Sequence, residues 1–519
     1  MQNVSANQTA WLVLRSVLVL ALMIGFYVLA LGIAAVLFGI TYLAIQGNDW
    51  TVRLALPCFF LAIAVLLSLM PRRDQFDPPG PRLEESAEPR LFAFIREIAG
   101  DMHQRMPDDI YLDHDANIWV AQRGGTLGFG GRRVMSIGLP LLQALPAAEF
   151  KAVLAHEFGH YTSHDVKLGP WLYRTARAMS HTLEGLDDSL LRAPFEWYNN
   201  IFLDLTFAIS RRQELIADAA AARVAGATAM TCALRRVNAV APAYRLYFQR
   251  DVFPVLRAGF LPPIAQGFDQ FLLTPRSRDF ATLHISAAQR PRKARRHDTH
   301  PPLSERLEAL GSSGAAAVLP DVIEPTSMLL SSPDGFTNEL MRRALGERTI
   351  HALTPIQWRD VATTVYADRW RMATAHSRPV LSRVMLEKFP ANRNAFMALA
   401  GHLHVVGFSE QRLGHVVAIL GGAVAVRMLD AGWEAEVLPG RAPAFLKDGE
   451  RFEPFEAIRN LEDGTLSLEE WSRRCAAVGL SGALCDGGDA AVSDGGAPMG
   501  FDVAPPAASV RSTRRRRQS

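Results

Sequence analysis

At 519 residues the chain is long enough for roughly two to four domains and a sizeable buried core. A formal net charge of only +3, with 21% charged residues, gives no general attraction to nucleic acid, and no nucleic-acid partner is expected. The four cysteines, Cys58, Cys232, Cys475 and Cys485, show no pairing or metal-ligand pattern, which excludes a disulfide scaffold and suits a reducing compartment.

Apolar residues concentrate at the N-terminus. Val17 to Ile45 is free of charge, and so is Leu54 to Met70. At a rise of about 1.5 Å per residue both can cross a hydrocarbon core of about 30 Å, the second only just. A cleaved signal peptide has a shorter apolar stretch, about 7–15 residues. Arg15 flanks the first run, Arg72 and Arg73 follow the second, and Arg82 and Arg90 lie beyond. Positive charge on both outer flanks predicts a transmembrane hairpin with its two ends in the cytoplasm.

Pro78 to Pro81 reads as a stiff linker. Leu91, Phe94, Ile95, Ile98 and Met102 fall on one face of a predicted helix. Three short strands follow, Ile110–Leu112, Ile118–Gln122 and Val134–Ile137, the last two flanking a glycine-rich turn. That turn lacks the helix start a nucleotide loop requires, so it is read as a flexible hairpin. Glu149 to His156 is rich in helix formers and free of Gly and Pro. Trp197 to Ile209 is apolar but interrupted by Asn199, Asn200 and Asp204; too short and too polar to span a bilayer, it is expected to be a core helix packed against the helices of the site. The run from Arg290 to Arg296 reads as a solvated basic loop. Residues 335–405 read as helices, residues 415–460 as short strands with Gly turns around a buried apolar segment (Val416–Val426), and Leu461–Leu480 as a last helix around Trp471. Beyond Cys485 the Gly-, Asp-, Ala- and Pro-rich sequence closing on Arg514–Arg517 reads as a disordered tail.

The chemistry concentrates in three places. Residues 156–160 read His-Glu-Phe-Gly-His. On a helix, His156 and His160 project from one face and can take adjacent corners of a tetrahedral zinc, with Glu157 beside the open corner where water binds. The bland alternative is two ordinary histidines flanking a glutamate, and a third ligand is needed to set it aside. Downstream, Glu214 and Asp218 are four apart on a predicted helix. Glu214 completes a two-His, one-Glu set, and Asp218 suits an orienting role, accepting the N–H of a ligating imidazole. The third place is Asp298-Thr-His300-Pro-Pro-Leu-Ser-Glu-Arg306. His300 reads either as a donor to the oxyanion of a tetrahedral intermediate or as part of a proline-stiffened loop entering a helix; the residues alone leave both open.

HEFGH, then Glu-Leu-Ile-Ala-Asp, then His-Pro-Pro-Leu-Ser-Glu-Arg together resemble the HtpX and CAAX prenyl-protease type of integral-membrane zinc metalloendopeptidases, over about residues 88–312. The resemblance implies one zinc per chain held by His156, His160 and Glu214, with Glu157 as general base. It further implies Asp218 as orienter of His156, His300 as transition-state stabiliser, and Asp165 and Arg306 as matches to the family's supporting Asp and Arg. The family's cleft strand carries Asn-Ala followed by an apolar residue; here Asn117 is followed by Ile118. Asn117, Ile118 and Val120 are the candidates for pairing with a substrate backbone by strand addition.

The expected fold class is mainly α with small β. An N-terminal tail (1–10), a two-span hairpin (11–71) and a linker (72–87) precede a zincin-type peptidase domain with an HExxH helix and short strands (88–312). An α+β C-terminal region (313–484) and the tail (485–519) follow. The expected function is a membrane-anchored zinc metalloendopeptidase acting on protein or peptide substrates, with a role in membrane-protein quality control or processing. Its expected place is a bacterial inner membrane, with the lipid bilayer as a partner and the peptidase domain in the cytoplasm. The rival reading is a catalytically silent, zinc-binding membrane adaptor.

Overall fold

The computed structural model describes residues 6–47, 49–69, 76–123, 131–160, 175, 178–180, 182–183, 192–292, 300–311, 319, 322 and 324–485. The chain forms two units, Met1–Leu246 with Pro275–Ile350, and Tyr247–Thr274 with His351–Ser519. It is mainly helical with few strands, as the sequence leads one to expect. The segment Tyr247–Thr274, inside the stretch that carries the motifs, groups with the C-terminal unit.

The first unit opens with α1 (Ala6–Ile45) and α2 (Asp49–Ser68), packed along one another as a helical hairpin. The Thr41 hydroxyl donates to the Leu37 carbonyl one turn back (2.8 Å), so this polar group in an apolar setting is satisfied within its own helix. Val17, Ile24, Val28, Val36 and Leu43 are each more than half exposed, a larger outward apolar face than soluble surfaces carry. Among the described residues two helices are long and apolar enough to cross a membrane, Val17–Ile45 and Ser409–Asp430. The second is largely buried inside the C-terminal unit.

A four-stranded sheet follows, of β1 (Arg82–Leu83), β2 (Asp109–Asp113), β3 (Ile118–Arg123) and β4 (Arg132–Gly138), in the order β1-β2-β4-β3. β2 and β4 are parallel and the other pairs antiparallel, which leaves β3 at an edge with Ile118 opposite Ile137 and Val120 opposite Met135. The end of β4 admits only glycine: a Cβ on Gly138 would lie 1.9 Å from the Asp115 carbonyl oxygen. Gly138 N–H donates instead to Asn117 O (2.8 Å), fixing the entry to β3.

α3 (Pro89–Asp101) buries Leu91, Ile95 and Ile98, as its apolar periodicity requires, and Phe94 stacks on Phe150 at 6.0 Å. After the short α4 (Leu139–Ala144), α5 (Ala147–Gly159) carries the first motif, with Phe150, Leu154 and Phe158 fully buried. α6 (Arg192–Ala225) is one continuous helix carrying Glu214 and Asp218, and α7 (Ala227–Tyr247) follows it. Gly159 lets α5 and α6 meet closely, since a Cβ there would be 3.2 Å from Ala217 Cα. α8 (Pro275–Ala288) and α9 (Leu303–Ala309) complete the part of this unit that bears on the site.

One expectation is corrected here. The run Trp197–Ile209 is the first half of α6, and its apolar side chains pack on the hairpin rather than on the helices of the site. Phe195 and Phe202 share a buried cluster with Val19, Met23, Phe26 and Ala30. The reason is complementarity: α1 offers a row of small and aromatic groups to the first half of α6, whereas α5 meets its second half, at Glu214, Ala217 and Asp218.

The second unit is organised around the helix Ser409–Asp430, whose Leu413, Val416, Val417, Leu420, Ala423 and Val424 are buried. Residues 415–460 were expected to be short strands with Gly turns; strands occur only at Glu434–Glu436, Ala444–Lys447 and Glu450–Phe452. Gly421 and Gly422 are not turns but points of close approach, where a Cβ would meet the rings of Phe455 (2.3 Å) and Trp370 (3.3 Å). The single helix expected over Leu461–Leu480 is divided, Pro454–Asp463 ending at left-handed Gly464 (φ 81°) and Leu468–Ala477 starting on the Ser467 cap. The inserted segment supplies Tyr247, Phe268 and Phe271, which cluster with Trp358, and its Phe260–Leu261 pairs in parallel with Thr354–Pro355.

Candidate active site

α5 brings His156 and His160 to one face, and α6 brings Glu214 opposite them. His156 Nε2 and His160 Nε2 are 3.2 Å apart, and the Glu214 oxygens lie 3.5 Å from each. A tetrahedral ion with bonds of about 2.1 Å has edges of about 3.4 Å, and each imidazole stands near that distance from the other and from one of the two Glu214 oxygens. Among the described residues His156, His160 and Glu214 form a group that could hold a metal ion. Asp113, His114 and Asp115 form the other such group, but His114 and Asp115 are exposed and already pair within the group at 3.0 and 3.6 Å.

Behind the donors stands a layer of charge. Asp218 Oδ1 lies 2.9 Å from His156 Nδ1, the ring nitrogen that faces away from the donor cluster. Arg306, from α9, grips Asp218 with two hydrogen bonds of 2.8 and 2.6 Å and lies 3.6 Å from Glu214. Such a bidentate pair is among the strongest polar contacts available to buried side chains. His300, 62% exposed, puts Nδ1 2.8 Å from Glu214 Oε2.

The electrostatics follow from burial and these partners. Burial works against the His156 cation, but Asp218 and Glu214 outweigh it and lift the group to about 9. Burial, reinforced by the charge on His156, lowers His160 to about 4. Burial also raises the Glu157 carboxyl to about 7. Burial opposes ionisation of Glu214 and Asp218, yet Glu214 is held well below the usual carboxylate range by His156 and His300, and Asp218 is lowered by Arg306 and His156.

A cleft of about 480 Å³ opens onto this group, lined by His156, Glu157, His300 and Arg306 and, on the β3 side, by Asn117 and Ile118. Val120 lies further along β3 and is not part of the lining. Asp165 and Asp298 lie outside the described residues. Other wall residues went unnoticed in the sequence, among them Leu141, Val153 and, from α7, Met230, Ala233, Leu234 and Val237. The α7 residues recur at i, i+3, i+4 and i+7, a signal that marks a packed face without saying that the face borders a cleft. Arg292, read as part of a solvated loop, lines the wall. Arg236 grips Glu149, at the start of α5, with bonds of 2.7 and 3.1 Å and so fixes α7 against the motif helix.

Residues 86–313 match the model of Peptidase family M48, so through that region the chain is similar to this peptidase family. Among curated proteins it is 24% identical over 245 residues to the Protease HtpX of Thioalkalivibrio sulfidiphilus (strain HL-EbGR7), an alignment covering 43% of this chain and 71% of that protein. No solved structure gives a significant match.

Proposed function

We propose that the chain is a zinc-dependent metalloendopeptidase anchored in a membrane by α1 and α2, with its cleft in the cytoplasm. The observation that carries the proposal is the convergence of His156, His160 and Glu214 at tetrahedral spacing in a cleft that also holds Glu157. The donor set, two imidazoles and one carboxylate, is that of catalytic zinc, which keeps a fourth position for water or substrate. Zinc bound there supplies polarisation of the scissile carbonyl and a more acidic water.

The remaining steps belong to the chain's own side chains. A substrate backbone adds to the β3 edge near Asn117 and Ile118, which presents one peptide bond to Glu157. Glu157 takes the proton of the attacking water and returns it to the leaving amine. His300, at the exposed rim, donates to the oxyanion that develops on the carbonyl. Asp218 holds His156 through Nδ1, and Arg306 keeps Asp218 ionised and in place. Hydrolysis of protein or peptide substrates in membrane-protein quality control or processing is the setting these features support. The outward apolar face of the hairpin and the arginines on both its flanks support the anchoring and its orientation.

The test uses purified full-length protein with casein as substrate. Glu157→Gln is expected to keep about one zinc per chain and lose cleavage by a factor of at least about 100, in the range of general base removal. Glu214→Ala is expected to lose both. Full proteolysis by Glu157→Gln would remove Glu157 from the role of base.

A further inference from the structure

α6 does two things at once. Its first half packs on the hairpin, and its second half carries Glu214 and Asp218. Between Phe195 and Ala225 it holds neither Pro nor Gly, so nothing in its sequence provides a kink. From Tyr198 to Glu214 it advances about 24 Å as a single rod.

The junction with α1 is specific. The Tyr198 hydroxyl donates to the Leu22 carbonyl at 2.6 Å, across an interface otherwise made of Phe26, Phe195 and neighbouring apolar groups. An unpaired hydroxyl in such surroundings is costly, so the bond selects one axial position and one rotation of α6 against α1. Gly25 makes the room: a Cβ there would fall 2.3 Å from Tyr198 Oη and 3.4 Å from Cζ. The first distance is a collision and the second an ordinary contact. At the other end, α6 meets α5 where Gly159 faces Ala217, between Glu214 and Asp218. Each end is therefore a close approach made at a glycine.

We infer that Tyr198, seated on Gly25 and Leu22, is a positioning residue for the metal site: the hairpin sets where α6 stands, and thereby where Glu214 meets His156 and His160. The inference rests on the metal-site reading proposed above. It makes α1 part of the working peptidase, a template for the ligand-bearing helix as well as an anchor. Detaching or tilting the hairpin moves one ligand and leaves the other two in place.

The collision geometry supplies the test. In full-length protein in detergent, zinc affinity is measured by competition with a chromophoric chelator, and kcat and KM are measured on casein. Gly25→Ala is expected to weaken zinc binding about tenfold and to lower kcat with KM little changed, the scale at which supporting groups act on a metal. Tyr198→Phe alone is expected to give a smaller loss. The double variant Gly25→Ala/Tyr198→Phe removes the colliding oxygen and is expected to recover most of the zinc affinity lost by Gly25→Ala. A Gly25→Ala protein with native zinc affinity and kcat, or a double variant as impaired as Gly25→Ala, would overturn the inference. A wild-type chain that takes up no zinc would instead remove the metal-site reading, and this inference with it.

Discussion

Arg306 offers the sharpest test of the charge layer behind the donors. Its guanidinium satisfies both oxygens of Asp218, at 2.8 and 2.6 Å, and lies 3.6 Å from Glu214. Asp218 is almost wholly buried and touches His156 Nδ1 at 2.9 Å. Arg306→Ala therefore leaves two carboxylates buried with one compensating cation removed, a change that costs about 3–5 kcal/mol in comparable buried pairs. It also frees Asp218 to swing, and loss of a group that orients a ligating imidazole weakens metal binding by about 10–100-fold. Urea titration of the metal-free protein reads the first effect and chelator competition reads the second. If the cost is that of stranded charge, adding Asp218→Asn to Arg306→Ala should recover part of the stability, because the neutral amide needs no counter-ion. It should recover none of the zinc affinity, because the amide is a weaker acceptor for His156. Strictly additive losses in the double variant, or an Arg306→Ala protein as stable as wild type, would refute the reasoning.

Two further outcomes follow from single positions. Gly159→Ala puts a methyl 3.2–3.4 Å from Ala217 and is expected to cost about 1–3 kcal/mol by overpacking despite the better helix propensity of alanine, with a several-fold loss of zinc affinity; Gly159→Ala/Ala217→Gly should restore both, and a Gly159→Ala protein more stable than wild type by thermal melting would contradict it. In the second unit, burial raises the Asp251 carboxyl from 3.8 to about 6, although the Gly440 N–H donates to it at 3.3 Å. The folded chain thus holds that proton more tightly than the unfolded chain, so this group's contribution is most favourable below about pH 4 and declines as pH rises through about 6. Asp251→Asn keeps an acceptor for Gly440 and is expected to stabilise the unit at pH 8 by up to about 3 kcal/mol, with little gain at pH 4. Melting curves with a larger gain at pH 4 than at pH 8 would reverse the sign of the argument.

The parts of the molecule that a local pattern could reveal are those whose chemistry is itself local. HEFGH dictates by helical spacing alone that His156 and His160 share a face, and the same spacing joins Glu214 to Asp218. That the two pairs meet is a tertiary fact; the sequence offered it as the missing third ligand and through the resemblance, and in the structure the four side chains stand within 3.5 Å of a neighbour in the group. The face of α3 was equally readable, because Leu91, Ile95 and Ile98 repeat at helical intervals.

What escaped is which face meets which. Trp197–Ile209 was recognised as apolar and packed, but hydropathy does not distinguish α1 from α5 as its partner; that choice is made by the fit of Tyr198 against Gly25, a relation across 173 positions with no local trace. Gly421 and Gly422 show the same limit. A glycine that ends a helix and a glycine that admits an aromatic ring look alike in one dimension, and here the rings of Phe455 and Trp370 decide in favour of a continuous helix. The inserted segment Tyr247–Thr274 is the largest case. Its Tyr247, Phe268 and Phe271 form an apolar set that would be exposed without Trp358, so a chain cut after the motifs at residue 312 separates those rings from the partner that buries them. Trp358 and the rings it buries thus lie more than eighty positions apart in the chain, a relation that no local pattern carries.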